Sequence, residues 1–168
     1  MGSLLPLSGC AVAVRQAVSE LHGARAEILL NQEPPTLALK EYQSVRFAPS
    51  TTTLGPQLCD PEVPGIYDCH AREAEQTLQE AFPGGEPRLV IDTEILYVKK
   101  KDLLNNAQFL ARLHMRRDQH IVVDALINVQ SAAFGESDAQ AIAEAALEAI
   151  EAFLLEQKGD VEPEGLER

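Results

Sequence analysis

Positive charge is in short supply in this chain: 14 Lys and Arg stand against 26 Asp and Glu, a formal net charge of −12. Phosphate backbones are gripped by clustered Lys and Arg, so nucleic acid is excluded as a partner. The one basic run, Lys99-Lys100-Lys101, falls between two strand-like segments and reads as a solvated turn. Long apolar runs are missing too. No stretch approaches the roughly 18 apolar residues of a membrane-spanning helix, so any membrane attachment has to come from a lipid. There is no internal repeat and no glycine-rich phosphate loop, and Gly84-Gly85 reads as a helix stop. What remains is a chain of 168 residues, 45% hydrophobic, sized for one domain with a real core.

Cysteine is scarce at three residues, and the first carries the most informative motif. Leu7-Ser8-Gly9-Cys10 has a branched apolar residue, two small residues and then a cysteine. It resembles a bacterial lipobox, in which small residues let a signal peptidase thread the chain extended and the thiol receives a diacylglycerol. The resemblance implies acylation of Cys10, palmitate included, and cleavage before it. Met1 to Pro6 has no Lys or Arg, and its apolar run is shorter than the roughly 7–15 residues of a full signal core. Either the true start lies upstream or Met1-Gly2-Ser3 is foreign to the native leader. Residues 1–10 are thus expected to be the remnant of a lipoprotein signal. The same segment also fits an apolar N-terminal strand or helix with a buried cysteine. An acylated Cys10 leaves Cys59 and Cys69 to pair across a loop bearing Pro and Gly, a disulfide candidate in an oxidising compartment. Two unrelated thiols is the alternative. A zinc site from Cys59, Cys69 and His70 lacks a fourth ligand, so no metal and no cofactor are expected.

The patterning predicts an α+β domain over residues 36–157, between a leader or tether at 11–35 and a disordered acidic tail at 158–168. Residues 11–30 show weak helical spacing in Val14, Val18, Leu21 and Arg25. Thr36 to Ala48 reads as a long strand, and Ile66 to Phe82 as a helix stopped by Pro83-Gly84-Gly85. Arg88 to Val98, Gln108 to Arg117 and Ile121 to Ser131 alternate with period two and form an antiparallel meander. A capping box, Ser137-x-x-Gln140, opens a last helix with a stripe of Ile142, Ala145, Ala146, Ala149, Ile150, Phe153 and Leu154. The order is β-α-β-β-β-α, a mainly antiparallel sheet with two helices packed on one face and a parallel crossover between its first two strands.

Pairing Asp92 with His114 and His114 with Asp124 puts all odd positions of the meander on one face, from Leu89 to Tyr97, Phe109 to Met115 and Val123 to Val129. A one-residue slip scatters that set, so the register is well specified. The helices are expected on this odd face. The even face then carries a charged cluster, Asp92, Glu94, Arg112, His114 and Asp124, which fits cross-strand pairing on a solvated sheet. It also carries Val90, Leu96, Val98, Leu110, Val122 and Leu126, more apolar surface than water favours. Either the leader crosses this face, or the face meets a protein partner or another copy of the chain.

The strand Leu89-Val-Ile-Asp-Thr-Glu-Ile-Leu-Tyr97, the hairpin from Phe109 to Val129 and the alanine-rich last helix, behind a lipobox, resemble a group of small bacterial envelope lipoprotein domains. The curli-secretion lipoprotein, the lipoprotein activators of penicillin-binding proteins and the amino-terminal domain of TolB share that architecture. The resemblance is one of topology over residues 36–157. It implies a non-enzymatic structural or assembly module of an envelope complex in the periplasm. Ala11, where inner-membrane lipoproteins carry Asp, implies an outer-membrane anchor. A soluble domain binding a protein or ligand on the even face is the alternative, and a hydrolase using Asp92, His114 and Asp124 is the third reading. No catalytic residue is assigned.

Overall fold

The period-two alternation in the middle of the chain becomes three long antiparallel strands. They are β5 (Arg88–Lys99), β6 (Gln108–Arg117) and β7 (His120–Ser131). A computed structural model describes residues 14–15, 24–31, 39–55, 62–99, 106–131 and 139–159. In it these strands are the centre of a sheet completed by β1 (Val14–Arg15), β2 (Ala24–Leu30), β3 (Ser44–Phe47) and β4 (Thr51–Thr52). The strand order is β1-β2-β7-β6-β5-β3, with β4 also on β5. Helices α1 (Glu62–Thr77) and α2 (Ala139–Lys158) complete an α+β fold with a mostly antiparallel sheet.

Asp92 pairs with His114, Glu94 with Arg112 and His114 with Asp124, the register that parity demands. Leu89, Ile91, Ile95, Phe109, Leu113, Met115, Val123 and Ile127 are buried on the odd face, where the inward stripes of both helices join the same core. Tyr67 of α1 stacks on Phe109, ring centroids 6.1 Å apart. All seven residues expected in the α2 stripe are buried. Gly159 closes that helix at φ +86°, donating its N–H to the Leu155 carbonyl at 3.1 Å. A side chain is rarely stable there, which is why glycine serves as the stop.

Two irregularities break the parity. The register shifts between Ile95 and Tyr97 on β5, and again past Met115 and Val123 in the β6–β7 hairpin. One extra residue in a strand inverts the facing of everything beyond it. Tyr97, expected in the core, therefore stands opposite Leu110 and is 38% exposed, while Val98 stands opposite Phe109 and packs on the core. Likewise Ile121 pairs with Arg116 and is 55% exposed, and Val122 packs on the core. Val98 and Val122, expected on the even face, belong to the other side.

The N-terminal third differs from the sequence reading. Ala24 to Leu30 is not part of a helical leader or tether; β2 pairs antiparallel with β7 and buries Ala24, Ala26, Ile28 and Leu30. These residues alternate strictly, and β7 offers them backbone partners that a local helical preference does not outweigh. The segment extends the sheet sideways instead of crossing its even face, and β1 pairs with β2 in turn. Of the long strand expected from Thr36 to Ala48, residues 36–38 lie outside the described residues, and from Leu39 on only β3 is strand, because Leu39 to Glu41 form a turn that buries Leu39 and Tyr42. The expected parallel crossover is present: β3 runs parallel to β5, with α1 between them in the chain. Helix α1 starts at Glu62, ahead of the expected Ile66, since Pro64 in the first turn has no intrahelical bond to lose. Ser137 and the tail from Asp160 lie outside the described residues.

Candidate interaction face and its charged ladder

The face of the sheet opposite the helices is built by alternation and two bulges. Leu29 on β2 pairs with Leu126 on β7, Asn128 on β7 with Leu110 on β6, and Leu110 with Tyr97 on β5. Val90 lies between Arg46 on β3 and Arg116 on β6. Val90, Leu110 and Leu126 are half-buried on this face, as expected, and Leu96 is the half-buried extra residue of the β5 bulge. The two large hydrophobic side chains most exposed among the described residues, Tyr97 and Ile121, both reach this face through the bulges.

The charged cluster is a cross-strand ladder of contacts, in which His114 and Asp124 form an ion pair only when the imidazole is protonated. Arg112 Nη1 lies 3.9 Å from Glu94 Oε2, and His114 Nε2 lies 3.3 Å from Asp124 Oδ1. That buried Asp124 oxygen accepts no hydrogen bond, so its contact with His114 is electrostatic without the alignment a bond requires. Asp92 faces His114 along the ladder, yet its carboxylate is taken by Arg116. Arg116 donates from Nε to Oδ2 and from Nη2 to Oδ1 at 3.4 Å, and from Nη1 to the Asp118 carbonyl at 2.8 Å. The fork-to-fork contact raises the pKa of the guanidinium. Arg116 was missed as a member of the cluster although its even number places it there. Around His114 the face offers Asp92, Asp124, Val90, Glu94, Arg112, Arg116 and Leu126, with no Ser, Thr or Cys among them. What the arrangement can do is hold a flat, charge-balanced, partly apolar surface in a fixed pattern.

Other polar contacts were not legible from spacing. Glu75 on α1 accepts the Phe47 N–H at 2.6 Å, and Asp68 accepts the Ser50 N–H at 2.9 Å. The two carboxylates clamp the end of β3 and the segment that follows it along a cleft of ≈ 350 Å³ that Arg46 and Arg72 also line. Cys69 is exposed on α1; its expected partner Cys59, and the acylation candidate Cys10, lie outside the described residues. No helix among the described residues is long and apolar enough to cross a membrane.

These features define a sheet-and-two-helix α+β domain with one sheet face covered by the helices and the other left open by the described residues. No protein-family model and no curated protein matches the chain. Solved structures of PelC from Paraburkholderia phytofirmans, described as dodecamers, align with 80% of this chain and 96% of theirs. Their sequence identities are 13% and 11%, each with a TM-score of 0.47. The hypothetical protein CT253 from Chlamydia trachomatis aligns over 70% of this chain and 99% of its own, at 15% identity and a TM-score of 0.41.

Proposed function

We propose that this chain is a lipoprotein anchored in the bacterial outer membrane and facing the periplasm, where it acts as a non-enzymatic structural or assembly module. The open sheet face carries this reading. It presents Leu29, Val90, Tyr97, Leu110 and Leu126 among cross-strand contacts of charged and polar side chains, a mixture suited to a protein partner. The anchor is supported by Leu7-Ser8-Gly9-Cys10 alone. Three acyl chains on a mature Cys10 would hold the domain firmly, where one chain gives only weak attachment. The dodecameric state belongs to PelC; self-association of this chain rests on its own surfaces.

Mass spectrometry of the protein recovered from membranes tests the anchor. Cys10 is expected as the acylated N-terminus. A soluble protein with an unmodified, uncleaved N-terminus overturns it. The same open face would serve an unanchored binding domain, which is what such a result would leave standing.

A further inference from the structure

The sheet ends at β3, and no strand among the described residues pairs with its far side. An edge strand presents backbone groups that can extend the ladder into another chain, so an edge has to be blunted or covered. The groups an incoming strand needs first are N–H donors for its own carbonyls. At the end of β3 those donors are used up one by one. Ala48 turns its N–H inward to the Ile91 carbonyl at 2.9 Å. Alternate residues of a strand bond to the same neighbour, so the Phe47 N–H points the other way, out of the sheet. Glu75 Oε1 takes it there at 2.6 Å. Pro49 has no N–H, and the Ser50 N–H goes to Asp68 Oδ1 at 2.9 Å. Residues 47–50 therefore offer no free backbone donor to a partner strand.

Both acceptors come from α1, two turns apart on one side of the helix. They reach the edge across the cleft of ≈ 350 Å³, with residues 46–49 on one wall and Asp68, Ala71, Arg72 and Glu75 on the other. The helix backbone does not cover this edge; two side chains do, with open space beside them. A carboxylate only accepts. The second oxygen of Glu75 would meet the carbonyl oxygen of an incoming strand with no proton between them, so the contact closes the ladder and cannot be extended.

We propose that Asp68 and Glu75 guard the β3 edge against strand addition, and that without them β3 pairs antiparallel with β3 of a second copy. The occupant follows from symmetry: two identical edges laid antiparallel each supply the donors and acceptors that the other lacks. This role goes beyond the function proposed above, which rests on Cys10 and the open sheet face and neither stands nor falls with it.

Hydrogen exchange and sedimentation of the full chain, with and without the guards, test this. In the wild type the Phe47 and Ser50 amides should exchange slowly at every concentration. In the variant Asp68→Ala with Glu75→Ala they should exchange at least about tenfold faster in dilute solution. As concentration rises they should regain protection while the mass of the particle about doubles relative to the wild type. Loss of two hydrogen bonds by itself would leave both amides fast throughout, so the recovery is what identifies the guard. A folded double variant that sediments like the wild type overturns the proposal, as does association in which the two amides stay unprotected. Fast exchange at Phe47 and Ser50 in the wild type overturns it too. Circular dichroism checks folding; if the double variant unfolds, Glu75→Ala alone must show the recovery at Phe47, and its absence is equally fatal.

Discussion

The Tyr67 hydroxyl lies 2.9 Å from Thr93 Oγ1 at the heart of the helix–sheet interface, with the two residues 0% and 2% exposed. Each hydroxyl satisfies the other where water cannot. Tyr67→Phe and Thr93→Val should each destabilise the domain by about 1–3 kcal/mol, because each leaves a buried hydroxyl unpaired. The double substitution should cost less than the sum of the two. Urea denaturation of all four proteins measures the coupling.

Alkaline stability follows from the same burial. Tyr67 is raised well above its ordinary 10.0, first by desolvation, and Tyr42 is raised by burial and then by Glu41. The fold disfavours ionisation of both relative to the opened chain, so the unfolded state binds fewer protons above pH 10. Their contribution to stability is therefore complete below that pH and falls as pH rises through it, by up to about 1.4 kcal/mol per pH unit for Tyr67. Tyr67→Phe should shallow this decline without abolishing it, since Tyr42 remains. A denaturation series from pH 8 to pH 11 reads the slope.

At the end of α2, Lys158 ties the helix to the Leu39–Tyr42 turn through two carbonyls, with its ammonium 4.9 Å from the Phe82 ring centre. Lys158→Met keeps the apolar stem and removes the donors and the cation. A loss of about 1–2 kcal/mol is expected, seen as a lowered thermal midpoint. Lys158→Arg should recover part of it.

The bulges make a prediction opposite to that of simple alternation. Val98→Ala and Val122→Ala should destabilise by about 1 kcal/mol or more, since both side chains pack on the core. Tyr97→Ser and Ile121→Ser should shift stability by no more than about 0.5 kcal/mol. If strict parity held, the ranking would be reversed, so thermal melts of the four variants decide it.

Much of the fold was legible because hydrophobic spacing has a fixed geometric meaning. The buried stripe of α2 from Ile142 to Leu154 and the register of Asp92, His114 and Asp124 follow from periods of 3.6 and 2. Within the open face, alternation placed Glu94 against Arg112 and His114 against Asp124. It did not show that Arg116 reaches diagonally to take the Asp92 carboxylate, because the reach of a long side chain is set by its rotamer and its neighbours.

The clamps from Asp68 and Glu75 to the backbone at and after the end of β3 join residues 18 and 28 positions apart, and no local pattern marks such pairs. The strand at Ala24 to Leu30 was misread for a related reason. Its alternation was present in the sequence, but its partner, β7, lies about a hundred residues further on.

By itself the sequence determined that this chain folds as an α+β domain, which face of the meander is buried and where α2 begins to pack, since those follow from side-chain spacing and burial. Tertiary structure alone decided that β2 closes against β7, and that two bulges exchange Tyr97 with Val98 and Ile121 with Val122. The reason is physical: an extra residue in a ladder is accepted or refused by the strand beside it, and a sheet edge is filled by whichever segment can satisfy its hydrogen bonds.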